Sequence, residues 1–417
     1  MVRRANPPPP KAVKAYAEKR KARYEYMQLL RTLIMGMKAL LWSMTNYAQI
    51  RKQKGHGMHP VSPLSEYEVV SVSKLVANGF CSLCVLREAE IGSVSDHFAS
   101  MCQVMDPKNM TEVFARHIST LFSKALEHPP LVRVLAQLLL NSETHAPFAD
   151  VLSAFFIGTK LDAIGDTKSA EGKLVSRLLK HLLSCLGKYQ HCEFYMKNRL
   201  IPLVQGCLDR AVETVDCTPY IEILNLLFHS LAGGKLDKLY QEFLFVLQPT
   251  IDAILMILQG PSGRTHRKQI VELCLTLPVR LQNLLPYLSK LMNPILIALK
   301  GQDELVNMGL RTLEFWVDSL NPEFLEQEMA SIEVELMETL WGHLQPPPYP
   351  FGARTLQLLG KLGGRNRRFL SKPMPLEFKS NPEFGLRVIL SFKGQTRFLI
   401  PLDKCIPVSY THLTLPT

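Results

Sequence analysis

The sequence predicts an all-α chain built of stacked helix pairs, and three observations carry that prediction. Three 20-residue segments recur at a spacing of 41: QEFLFVLQPTIDAILMILQG (241–260), QNLLPYLSKLMNPILIALKG (282–301) and EFLEQEMASIEVELMETLWG (323–342). They align apolar on apolar at Leu247, Leu288 and Met329, then Ile254, Ile295 and Leu336, then Leu258, Leu299 and Leu340. The intervals of 7 and 4 trace one face of a helix. Each segment ends in a glycine, Gly260, Gly301 or Gly342. A left-handed C-terminal cap there would require a residue without Cβ. A helical unit repeating every 40–47 residues or so is the pattern of HEAT or armadillo arrays. Such α-solenoids offer extended surfaces to other macromolecules and enclose no site for chemistry.

The elements follow in order. Residues 1–10 are a Pro-rich lead-in, expected to be disordered, and 11–53 form one long helix, basic in its first half. Its second half carries an apolar stripe of Leu30, Leu33, Ile34, Met37, Leu40, Leu41 and Met44. GHGMHPVSPLS (55–65) is a loop marked by Gly and Pro. HEAT-like helical repeats then occupy 66–370. Helices are expected at 66–90, 94–105, 108–127, 130–141, 145–158, 169–188 and 193–214, with breaks at Asp106-Pro107, Pro129-Pro130 and Gly165-Asp166. From 219 to 362 the period is regular. First helices fall at 219–231, 267–281, 304–320 and 351–362, each followed by the second helix aligned above, and LRTLEF (310–315) is echoed by ARTLQL (353–358). Pro346-Pro347-Pro348 stops the helix that ends at Gly342. Alternation at Leu386, Val388, Leu390 and Phe392, and at Thr396, Phe398, Ile400 and Leu402, around Lys393-Gly394-Gln395 predicts a β-hairpin element within 375–406. The last stretch, PVSYTHLTLPT (407–417), continues neither period and reads as a non-native tail of adapter or vector origin.

Charge is concentrated at one end. Residues 1–60 hold 13 Lys and Arg against Glu18 and Glu25, a surplus equal to the whole chain's net +11. The remainder is neutral, so the basic pI describes a leader on a neutral scaffold, and direct nucleic-acid contact by the body is not expected. Nine cysteines scattered through apolar stretches give no disulfide framework, and a reducing compartment is expected. The start MVRRANPPPPK has no apolar core of a secretory signal, and no run approaches the roughly 18 uninterrupted apolar residues of a membrane span. A soluble, intracellular chain without membrane attachment is the expectation.

Motifs for chemistry are few. Cys81-x2-Cys84-x12-His97-x4-Cys102 has the spacing of a zinc finger of the two-Cys, His, Cys type. Yet Glu88 and Val94 stand where a finger places its core aromatic and Leu, and Phe80, Leu83, Val85 and Leu86 run an apolar helix through the Cys pair. Buried helical cysteines are the preferred reading, with no cofactor and no metal. Gly360-x2-Gly363-Gly364 follows a helix where a phosphate loop follows a strand, so a C-cap and turn is expected, with Arg365, Arg367 and Arg368 as a solvated edge. His56 and His59 have no carboxylate company, and no nucleophile elbow, HExxH or kinase catalytic loop occurs. No catalytic residue is assigned. The cluster Lys19-Arg20-Lys21-x-Arg23 is a candidate nuclear-localisation patch or a docking strip for acidic partners, weighed evenly against the solvated half of a helix.

LYQEFL (239–244), VELCLTLPVRLQNLLPYL (271–288), MGLRTLEFWVDSL (308–320) and LQLLGKLGGRNRRFL (356–370) closely resemble the TRRAP/Tra family, giant pseudokinase members of the phosphatidylinositol-3-kinase-related kinases. HFASMCQVMDPKNMTEVF (97–114), NSETHAPFADVL (141–152), NPEFGLRVILSF (381–392) and FLIPLDKCI (398–406) are similar to the same region, so the resemblance covers about 65–406. It implies a segment of the N-terminal HEAT region, remote from the FAT and kinase-like domains. It further implies a nuclear, non-enzymatic scaffold in SAGA-type and nucleosomal histone acetyltransferase complexes, with acetyltransferase-complex subunits and acidic transcription activators as partners. The rivals are a HEAT-type transport or trafficking adaptor and the non-catalytic arm of an active kinase of the same class.

Overall fold

A computed structural model of the chain describes residues 10–53, 64–189, 192–344, 350–365, 377–381, 385–392 and 396–401. Side chains are described for 17–46, 64–189, 193–344 and 350–362. The lead-in 1–9, the loop 55–63 and the tail 407–417 lie outside the described residues. The chain divides into two compact units, Met1–Val246 and Leu247–Thr417.

The first unit holds α1 (Pro10–Gln53), α2 (Glu66–Ser82), α3 (Glu88–Cys102), α4 (Pro107–Glu127), α5 (Val132–Leu140) and α6 (Ser142–Thr159). It continues with α7 (Leu161–Ile164), α8 (Ala170–Leu186), α9 (Cys192–Glu213), α10 (Thr218–Ala232) and α11 (Asp237–Phe245). Each helix packs on the one that follows in its own layer. α1, α3, α5, α8 and α10 succeed one another in one layer, and α2, α4, α6, α9 and α11 in the other. This is the packing an α-solenoid requires, each repeat burying its apolar side on its neighbours.

The second unit contains α12 (Leu247–Gln259), α13 (Ser262–Thr265), α14 (Arg267–Leu275), α15 (Leu281–Leu284) and α16 (Leu288–Leu299). After them come α17 (Asp303–Ser319), α18 (Pro322–Met329), α19 (Glu333–Gly342) and α20 (Gly352–Arg365). α14, α17 and α20 succeed one another in one layer, and α16 packs across on α14 and α17. The stretch read as a hairpin holds three strands, β1 (Glu377–Asn381), β2 (Gly385–Phe392) and β3 (Thr396–Pro401). They form an antiparallel sheet in the order β1-β2-β3, with Val388 opposite both Phe378 and Ile400.

Local sequence explains where helices begin. Ser65 and Glu68 form a reciprocal capping box at α2: the Ser65 N–H donates to the Glu68 carboxylate at 2.7 Å. That bond holds the Glu68 carboxyl below its usual pKa. Asp106, Asn141, Ser169 and Asn321 cap α4, α6, α8 and α18 by accepting from main-chain N–H groups two or three residues on. Proline-led first turns at Pro107, Pro219 and Pro322 need no hydrogen bond at that position.

Several expectations require correction. The helix expected over 66–90 breaks at Leu86 and Arg87, both extended, and α3 starts there with Arg87 N–H bonded to Glu90. The three long second helices are each divided: at Val246, at the 310 turn Leu285–Tyr287, and at Ala330–Ile332. Pro286 accounts for the second break, having no N–H and a ring that crowds the preceding turn. The three aligned glycines are not left-handed caps. Among the described glycines only Gly234 has positive φ (68°). At Gly301 close approach is the constraint, since a Cβ would lie 2.9 Å from Leu305 Cδ2 and 3.1 Å from Ala298 O. The turn expected at Gly360–Gly364 is helical instead, because α20 continues to Arg365. In α1, Leu30, Ile34 and Leu41 are buried, while Leu33 and Leu40 of the same predicted stripe are exposed.

The core is dense where layers meet. α8 buries Leu174, Val175, Leu178, Leu179, Leu182, Leu183 and Leu186 on one face. Phe114 of α4 meets Phe148 of α6 edge-on at 5.1 Å, and Phe228 of α10 meets Phe243 of α11 at 5.2 Å. Among the described residues one unbroken helical stretch, Glu66–Val85, is long and apolar enough by composition to cross a membrane. Its Val69, Val72, Val76, Phe80 and Leu83 are buried against the neighbouring helices.

Across the outside runs a ladder of polar links, each joining residues 35 to 49 positions apart, roughly one repeat. In the first unit Lys180 pairs with Glu222 (2.5 Å), Arg199 with Asp150 (3.2 Å) and Lys197 with Glu242 (3.1 Å). In the second, Lys268 pairs with Glu304 (2.9 Å), Lys290 with Asp252 (2.5 Å), and Lys361 with both Glu314 and Asp318 (2.8 Å each). An exposed pair is worth about 0–1 kcal/mol, against roughly 1.5–3 kcal/mol for one buried Leu or Val. The core supplies the stability and the ladder helps set the register between repeats.

Buried rungs are fewer. The His343 Nε2–H donates to the Leu299 carbonyl (2.9 Å), and its Nδ1 accepts from the Thr355 hydroxyl (3.2 Å). Burial pushes the His343 pKa down from its ordinary value, although the Leu299 bond works the other way. The unfolded chain therefore takes up this proton first. The contribution is complete above pH 6.5, the ordinary histidine value, and is lost as pH falls below it. Hydrogen exchange in α19 and α20 should accelerate as pH drops from 7.5 to 5.5 beyond the intrinsic rate change. His343→Gln should flatten that dependence.

Two glycines give a paired test. A Cβ on Gly172 would lie 2.3 Å from both Ala163 O and Asp166 O, whereas one on Gly158 meets nothing within 4 Å. Gly172→Ala should destabilise by about 1–3 kcal/mol. Gly158→Ala, in the last turn of α6, should stabilise slightly, by less than the roughly 1 kcal/mol of a helix interior. Thermal melts of both variants read the difference.

Candidate interaction surfaces

The sequence-predicted residues lie apart from one another. Lys19, Arg20 and Lys21 are exposed on α1 and Arg23 is half-buried. The Lys21–Glu25 approach is loose at 3.9 Å. The patch is helical, so a partner meets cations distributed around a cylinder rather than an extended basic peptide. Farther along, Tyr26 donates to Ser82 O (2.9 Å), Arg31 donates to His97 Nε2 (3.0 Å) and Lys38 donates to Ser100 (2.5 Å), which fastens α1 to its neighbours.

His97 is thus engaged by Arg31. Cys81 lies in the last turn of α2, Cys84 in the 310 turn Leu83–Val85, and Cys102 ends α3. Among the described residues no group of three or more His, Cys, Asp or Glu side chains could hold a metal ion. Cys102 is fully buried and its thiol pKa is pushed far up by desolvation, while burial raises Cys207 and Cys274 to about 12. Arg365 closes α20 in the backbone, and Arg367, Arg368, His56 and His59 lie outside the described residues.

Two grooves between helices, and one helix face, were not singled out in the sequence. In the first unit a wide groove of about 790 Å3 lies between α8 and α10. Lys173, Arg177, Lys180 and His181 line it with Asp216 and Glu222. Lys180 is taken by Glu222. Burial, and then the Arg177 charge, lower the His181 pKa. Three cations face two carboxylates here, so the groove is weakly cationic.

In the second unit a groove of about 280 Å3 opens where α14 ends at Leu275. Pro278 prevents the helix from continuing, so 276–280 runs irregularly before α15 starts at Leu281. The gap is lined by Leu275, Leu277, Val279, Leu281 and Phe315, with Arg311 at the rim. Trp316 and Cys274 are buried beneath. The raised Cys274 thiol reports how poorly solvated that floor is. Phe315 is 55% exposed, although the echoed position Leu358 is buried. The sequence signal was available as a proline inside the expected helix 267–281.

The helix face is on α1, where Leu29, Leu33 and Leu40 share one exposed side and Met35 and Trp42 another. A cluster of exposed apolar side chains on one helix is a mark of association. The grooves and this face can bind macromolecular segments. None gathers the nucleophile, base and anion-stabilising groups that catalysis needs.

Thiol chemistry checks the burial. At pH 8 an alkylating reagent should label half-buried Cys81 and Cys84 in the folded chain well before Cys102, Cys207 or Cys274. Equal rates under native conditions would contradict the packing described.

Comparison with known proteins places this architecture. The family model of the Tra1 HEAT repeat central region matches residues 3–347, and that of the Tra1 HEAT repeat ring region matches 357–417. The boundary between them falls beside Pro346-Pro347-Pro348, and the second match extends across 407–417, the stretch read above as foreign. The human transformation/transcription domain-associated protein is 29% identical over 401 residues, covering 91% of this chain and 10% of that protein. The SAGA complex/NuA4 acetyltransferase complex subunit TRA1 of Saccharomyces cerevisiae is 31% identical over 316 residues, 75% of this chain and 8% of that protein. The chain spans about a tenth of the length of these relatives. A solved circular tandem repeat protein aligns with 14% identity over 82% of this chain and 86% of its own, at a TM-score of 0.22 that carries no argument. With stacked helix pairs and family-model matches along most of its length, the chain belongs to the Tra1/TRRAP family, as a HEAT-repeat segment of the central and ring regions.

Proposed function

We propose that this chain is a non-enzymatic scaffold segment of a transcription coactivator subunit. In this reading it works in the nucleus within histone acetyltransferase complexes, and its helical surfaces receive complex subunits and acidic transcription activators. The observation that carries the reading is the family match, joined to relatives named as transcription-associated proteins and as SAGA and NuA4 acetyltransferase complex subunits. The two-layer build agrees with it, because stacked pairs leave inter-helix grooves open to extended partners. A pseudokinase parent is part of the same reading, this chain spanning about 10% of the length of the human relative.

The cationic patch Lys19, Arg20, Lys21 and Arg23 serves in this scheme as a steering strip for acidic segments or as an import signal. Affinity capture with the tagged full chain from nuclear extract tests the proposal. Enrichment of acetyltransferase-complex subunits is expected. Small GTPases or transport cargo in their place would contradict it.

A further inference from the structure

The groove beside Pro278 has features that its role in packing does not require. Its walls are apolar, with Leu275, Leu277, Val279 and Leu281 on one side and Phe315 on the other. The floor is closed by Trp316, only 2% exposed. At about 280 Å3 it falls just below the span of sites that enclose a drug-sized molecule, roughly 300–1,000 Å3. It is partly open to solvent, which suits side chains projecting from a chain laid across it.

Charge selects among such chains. Arg311 stands at the rim, exposed, with no ion-pair partner among the described residues. Its neighbours on α17 are engaged: Glu314 and Asp318 are both held by Lys361. A cation left unpaired beside an apolar wall is the complement of a segment bearing both a bulky apolar residue and a carboxylate. Arg311 and Phe315 are four residues apart on α17, so they sit just over one turn, roughly 6 Å, apart along it. The ligand's apolar anchor and its acid must be separated by the same interval.

We infer that this groove docks a short amphipathic acidic helix from a protein partner. Its apolar residue packs between Phe315 and Leu277–Leu281, and an Asp or Glu one turn away pairs with Arg311. The assignment rests on the scaffold reading above and gives it a specific site. Binding follows the helix-in-groove mode, with affinity from the buried anchor and selectivity from the charge.

The test uses the full chain and a fluorescein-labelled synthetic helix with a Leu anchor and a Glu one turn beyond it, read by anisotropy. Arg311→Glu should weaken binding about tenfold, equivalent to about 1.4 kcal/mol. A peptide with Lys in place of Glu should bind the natural chain about as poorly and recover on Arg311→Glu. Phe315→Ala should weaken both matched pairs. Because the peptide swap leaves the protein unaltered, misfolding of a variant cannot decide the outcome. Equal binding of the Glu and Lys peptides to the natural chain would overturn the assignment, as would an Arg311→Glu variant that binds unchanged. Capture of acetyltransferase subunits is scored separately. Its loss with charge-matched peptide binding intact would sink the scaffold reading and leave the groove assignment standing.

Discussion

A helix pair with one greasy side can hide it only against another such pair. That constraint organises the chain. Leu174, Val175, Leu178 and Leu182 on α8 are buried because neighbouring helices of the same kind lie on either side. Stability is therefore local, passing from each repeat to the next. The polar links have the same reach: Lys180 to Glu222 and Lys290 to Asp252 each span one repeat. A scaffold made this way can be long without a single growing core, and each junction leaves a groove outside.

Grooves differ according to what interrupts the regular pattern. Between α8 and α10 both helices run through, and the groove is broad and lined with charge. Beside Pro278 the helix stops early, and the missing turn exposes an apolar wall that Phe315 extends. Specific recognition thus arises where the repeat is least regular, because a perfectly repeated surface offers every partner the same contact.

Much of the fold was legible from apolar period alone. α4, α9, α10 and α17 begin and end within one residue of expectation. The breaks at Val246 and Ala330–Ile332 were hidden for a physical reason. Leu239, Phe243, Leu247, Ile251 and Ile254 are all buried at helical spacing, so the pattern continues in phase through the interruption. The glycine alignment was sound and its explanation was not, since Gly301 answers to a close Leu305 rather than to a left-handed backbone. The exposed side of α1 was also unreadable: Leu33 and Leu40 look like core in sequence, and only placement distinguishes them from Leu30 and Ile34. Motif spacing misleads most easily. The Cys81, Cys84, His97 and Cys102 pattern distributes its members over three elements, and Arg31 occupies the histidine.

The central claim is that repeats are held by their immediate neighbours. Native-state hydrogen exchange on the full chain carrying Leu182→Ala tests it most directly. Leu182 is fully buried, and its truncation should cost about 2–5 kcal/mol. Exchange should quicken in α8 and in α5 and α10, which pack on it, and remain unchanged from α14 to α20. Uniform acceleration from α2 to α20 would contradict nearest-neighbour stacking.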